Sequence, residues 1–128
     1  MRSRENPVRI LVDENSLWLK KHIEFFLAAG IHFSFIGDEN SPNYGSSDSE
    51  ILNFCIENRI WVFTENGCDF KALLASDIIL KKASDNKVKI IVSKQKYVPN
   101  SKVIIAKLLQ FIDGENTDSF TFVPLGKY

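Results

Sequence analysis

Carboxylates recur at three places in this sequence: Asp13-Glu14, Asp48 with Glu50, and Glu65 with Asp69. Brought to one point, such groups repel each other and shift toward protonation unless a cation stands between them. Mg2+ and Mn2+ are hard ions that take oxygen ligands and keep waters, one of which can serve as a nucleophile. The chemistry such a set would serve is metal-assisted hydrolysis. Each acid also has a structural use. Asp13 can orient a strand-to-helix turn and Asn15 stands where a helix cap belongs. Glu50 completes a capping-box spacing behind Ser47, Asp48 suits the first turn of that helix through its dipole, and Asp69 can cap a short helix. Glu14 and Glu65 read as solvated acids, and His22 and His32 as structural.

Charge is balanced overall and uneven along the chain. The 128 residues carry 16 Lys+Arg and 16 Asp+Glu, which excludes a globally basic nucleic-acid binder and an acidic disordered tail. Residues 1–70 hold 6 basic and 11 acidic side chains, while residues 71–128 hold 10 and 5. An acidic centre beside a lysine-rich flank suits an enzyme that holds a cation and attracts a polyanion. A solvated lysine face with no partner gives the same pattern. Lys94 and Lys96 are candidates for phosphate contact. Tyr44, in a polar loop before the acidic helix, is a candidate for stacking on an unpaired base.

The elements that must position these residues alternate in type. Val8–Val12 reads as a buried strand, followed by helix-start residues and a helical apolar pattern ending at Gly30. Ile31–Ile36 is a second strand, and residues 38–46, with Pro42 and Gly45, form a loop. A helix opens at Ser47 and runs to about Asn58. Ile60–Thr64 is a third strand, and a short helix spans Phe70 to about Ala75. Lys81–Lys87 reads as a surface excursion. Val88–Val92 is a fourth strand, Ser101 to about Ile112 a long helix, and Phe120–Val123 a short terminal strand. Nearly continuous apolar strands alternating with helices argue for a parallel sheet covered on both faces. In such sheets ligands bind outside the carboxyl ends of the strands. Asp13, Thr64 and Glu65 follow strands one and three there, with Asp48, Glu50 and Asp69 close behind.

Other classes are narrowed by what the sequence contains. The length fits one domain over residues 1–128, with 1–7 expected as a disordered tail. No apolar stretch approaches the roughly 20 residues a membrane span needs, and no signal-peptide core follows the N-terminus. Cys55 and Cys68 lack CxxC spacing and read as small buried hydrophobes in a reducing cytoplasm. No GxGxxG follows strand one and no GxxxxGK[ST] occurs anywhere. A phosphoacceptor receiver domain needs an Asp at the end of strand three, where this chain has Thr64-Glu65.

Three segments together resemble the small PIN-like proteins. They are Arg9-Ile10-Leu11-Val12-Asp13-Glu14-Asn15, Ser47-Asp48-Ser49-Glu50-Ile51, and Trp61-Val62-Phe63-Thr64 running to Asp69-Phe70. They match that family's "LLDEN", "sDeEI" and "vvT-x-D-x-DF" patterns in order and spacing over about residues 8–93. The resemblance implies a three-layer α/β/α fold with a central, mainly parallel sheet of four or five strands. It also implies a Mg2+ or Mn2+ site and hydrolysis of RNA phosphodiesters by a cytoplasmic endoribonuclease, often the toxin of a toxin–antitoxin pair. Carried over by position, Asp13, Asp48 and Asp69 would hold metal. Glu50 would be a ligand or orient water, and Thr64 would be a hydrogen-bond partner. Asn15, Tyr44, Asn66, Lys94 and Lys96 are candidate substrate contacts. Single-stranded RNA is the expected substrate, and an antitoxin protein or a second copy of the chain stands open as partner. One departure is chemical: Asn66 stands where the family's third turn usually has Asp, and Gly67-Cys68 makes that turn one residue longer. Asn is a neutral oxygen donor and holds a cation more weakly. The alternative is therefore a weakened or inactive PIN-like module that binds a protein or RNA.

Overall fold

The computed structural model describes residues 7–65, 67–93, 101–114 and 122–125. Five strands form the sheet: β1 (Val8–Val12), β2 (Ile31–Phe35), β3 (Trp61–Thr64), β4 (Ile90–Ser93) and β5 (Phe122–Leu125). Their order is β2-β1-β3-β4-β5, and every neighbouring pair is parallel. The chain steps from β1 outward to β2, then returns to lay β3 on the other flank of β1. A topological switch point therefore falls between β1 and β3.

Helices cover both faces. The 3-10 helix Glu14–His22 runs into α1 (Ile23–Ala28), α2 is Asp48–Asn58, α3 is Gly67–Leu73, α4 is Asp77–Asp85 and α5 is Ser101–Gly114. Strand residues alternate between two cores, as the pleat requires. Leu11, Val62, Ile90 and Val92 pack with Leu52, Cys55, Phe70 and Ala83 under α2, α3 and α4. Ile10, Val12, Phe63 and Ile91 pack with Leu19, Phe26 and Leu108 under the 3-10 helix, α1 and α5. Burial on both faces is why these strands read as apolar nearly throughout. The result is a three-layer α/β/α arrangement around a parallel sheet, as expected.

Several boundaries and one element differ from expectation. The first helix starts as a 3-10 turn because its backbone is held from outside: Ser16 N–H donates to the Asp13 carbonyl at 3.1 Å and Ser16 Oγ to Glu65 Oε2 at 2.9 Å. Ser16 takes a non-helical conformation there (φ −120°, ψ 28°). The expected excursion at 81–87 lies mostly within α4, whose buried Ala83 and half-buried Ile79 dock on the core. Its large apolar residues, Ile78, Ile79 and Leu80, are consecutive rather than at helical spacing, which hid that helix. β5 lies two residues later than expected and accepts Pro124 because it is the edge strand. Cys55 is buried, which pushes its thiol up to about 12, but Cys68 is exposed at the start of α3, against expectation. The expected disordered tail falls, but for Pro7, outside the described residues. No helix among the described residues is long and apolar enough to cross a membrane.

Candidate metal centre

Register places the central pair. Val12 stands opposite Phe63, and the Asp13 N–H continues the ladder by donating to the Phe63 carbonyl at 3.1 Å. Asp13 and Thr64 thus leave the neighbouring strands β1 and β3 side by side at the switch point. The Thr64 hydroxyl donates to Asp13 Oδ2 at 2.6 Å, and both residues are buried. Thr64 alternates with Val62, so this pair opens toward the α2 and α3 side of the sheet.

The second acid arrives on a capped helix. Ser47 Oγ accepts from the Glu50 N–H at 3.1 Å, and Glu50 Oε1 accepts from the Ser47 N–H at 2.8 Å. This reciprocal cap starts α2 and puts Asp48 in its first turn. The third acid comes from α3. Gly67 opens that helix hard against β4: a Cβ there would stand 2.7 Å from Val92 Cγ1. Close docking of the helix start lets Asp69, exposed in its first turn, reach Asp48.

Electrostatics record the convergence. The Asp48 carboxyl is held above the usual carboxylate range, first by burial, then by the negative charge of Asp69 and a hydrogen bond with its carboxyl, then by the charge of Asp13. Carboxylates brought together in this way repel each other, and a cation between them relieves the repulsion. The donors are all oxygens, which in type fits a hard divalent ion. Among the described residues, no three His, Cys, Asp or Glu side chains stand as a ready coordination cluster.

The remaining candidates separate by position. Glu50 is fully exposed and its carboxylate is held below its usual range by the Ser47 N–H, so the cap engages it. Tyr44 is 61% exposed in the loop between β2 and α2. The Asn15 side chain, Asn66, Lys94 and Lys96 lie outside what the structure describes. Two acids expected to be solvated have partners. Glu14 Oε1 accepts from the Gly45 N–H at 2.7 Å, tying the β2–α2 loop to the end of β1. Glu65 Oε2 accepts from Ser16 Oγ at 2.9 Å and Trp18 Nε1 at 3.0 Å. These donors lie 49 and 47 residues away in sequence, and no local pattern announces such pairing.

No family model, curated protein or solved structure matches the chain.

Proposed function

We propose that the protein is a metal-dependent endoribonuclease acting on single-stranded RNA, in the manner of the PIN-like proteins its motifs resemble. The observation that carries this reading is the Asp48 carboxyl, raised first by burial and then by Asp69 and Asp13, which come from two other segments at the switch point of the sheet. Asp13, Asp48 and Asp69 would hold Mg2+ or Mn2+. Such an ion supplies an activated water and offsets charge on the phosphate. Thr64 holds Asp13 in place through its hydroxyl, and a bound cation would offset the repulsion that Asp48 meets from Asp69 and Asp13. A cytoplasmic toxin restrained by an antitoxin protein is the biological setting that the same resemblance supports.

A second reading is a PIN-like module that binds a protein or RNA without cleaving. The lack of a ready three-ligand cluster among the described residues favours it. One experiment separates the two. Mn2+ and Mg2+ are titrated calorimetrically into wild type and Asp13→Asn, and both proteins are incubated with single-stranded RNA with and without chelator. The nuclease reading expects metal binding and chelator-sensitive cleavage, both lost in the variant. Binding without cleavage selects the module, and equal behaviour of the two proteins without metal binding overturns the metal site itself.

A further inference from the structure

The β2–α2 loop is built rather than slack. The Gly37 N–H donates to the Pro42 carbonyl at 2.8 Å, Ser41 N–H to the Asp38 carbonyl at 3.0 Å, and Ser46 Oγ to the Asn43 carbonyl at 2.7 Å. Glu14 grips Gly45 from the end of β1. Within this frame the Tyr44 ring lies directly over Gly37. A Cβ at Gly37 would stand 2.5 Å from Tyr44 Cζ, and its φ of +93° is a conformation glycine adopts freely. The absent side chain gives the ring its seat. The ring is nevertheless 61% exposed. An aromatic ring seated on one side and open on the other pays little ordering entropy when a flat partner stacks on it.

Its place decides which partner. Tyr44 precedes Gly45, whose N–H is held by the residue after Asp13, and it lies four positions before Asp48. The ring therefore stands at the carboxyl edge of the sheet, on the loop that leads into Asp48. We infer that Tyr44 is a stacking platform for an unpaired nucleobase flanking the phosphodiester at the acidic site. The polymer's class rests on the nuclease reading above. A base inside a duplex is already stacked on its neighbours, so the platform selects single strands.

The test uses a short single-stranded RNA with one 2-aminopurine, whose emission falls on stacking, titrated with the full chain in chelator and again with Mg2+. Wild type and Tyr44→Phe should quench the probe and bind alike. Tyr44→Ala should weaken binding by about 5- to 150-fold, the range for losing one base–aromatic stack, and should abolish quenching. The same sequence as a duplex should not be quenched. Far-ultraviolet circular dichroism checks that each variant is folded, and Tyr44→Leu, which keeps side-chain bulk over Gly37 without a ring and should also lose quenching, keeps the test decisive if the Ala variant is not. Quenching that survives in Tyr44→Ala, or no binding by wild type, overturns the inference. Chelator-sensitive cleavage unchanged in Tyr44→Ala would sink the platform and leave the nuclease standing. Tyr44-dependent quenching without cleavage would do the reverse.

Discussion

The carboxyl edge of the sheet carries acids on both faces, and the two faces treat them oppositely. On the side of the 3-10 helix, Glu65 accepts from a serine hydroxyl and an indole N–H and fastens that helix to the end of β3. On the side of α2 and α3, Asp48 is partly buried and faces two further carboxylates, and its proton affinity rises. Thr64 and Glu65 are adjacent in sequence and point to opposite sides of the pleat, so one peptide step separates a satisfied acid site from a frustrated one. Folding alone accounts for the first. An acid set where the fold opposes its ionisation needs another reason to persist, and a perturbed carboxyl at a switch point is where function is sought.

The largest expected effect breaks the satisfied side. Glu65→Ala leaves Ser16 Oγ and Trp18 Nε1 without their acceptor in a half-buried site, which should cost about 1–3 kcal/mol. Urea unfolding measures it, with Trp emission reporting the freed indole. A loss below a few tenths would mean that water replaces Glu65 and that the two faces are less unlike than described. Next in size is Ser47→Ala, which removes the cap that sets Asp48 at the start of α2 and should cost about 1 kcal/mol. The same change removes the hydroxyl's part in holding Glu50 and leaves the larger part, the Ser47 backbone N–H, in place. That carboxylate is held below its usual range, so its share of stability is present above its unfolded value and lost as pH falls. Because the variant keeps the backbone N–H, the destabilisation by Ser47→Ala should shrink only slightly in acid, by the hydroxyl's share alone.

Legibility in the sequence followed the range of the interactions. β1, the Ser47–Glu50 cap and the apolar strands of a two-faced sheet are written in neighbouring residues, and they stand where periodicity and spacing put them. Asp13 beside Thr64 followed from the rule for parallel sheets once strands one and three were located. The 3-10 start at Glu14 was not legible, because Ser16 is turned by an acid 49 residues away. Nor was the seat of Tyr44, which depends on a side chain missing seven positions earlier. The helix 77–85 escaped because two of its three large apolar residues, Ile78 and Leu80, face outward and its one fully buried anchor is an alanine.

The smallest effect probes the frustrated side and carries an unusual sign. Asp48→Asn removes a charge that the fold opposes, so at neutral pH it should stabilise the metal-free protein, by less than about 1 kcal/mol for so open a site. The sign follows from the raised carboxyl: ionised Asp48 weakens the fold above its unfolded value, and the penalty is absent in acid, where both states are protonated. The gain should therefore fade as pH drops through the folded and then the unfolded value. Thermal melts of the two proteins across that range show it directly. Adding Mn2+ should reverse the order, because a cation that binds only the native state stabilises wild type by mass action and finds one ligand fewer in the variant. If Asp48→Asn is destabilising at neutral pH in chelator, the carboxyl is a structural acceptor like Glu65, and the contrast between the two faces disappears.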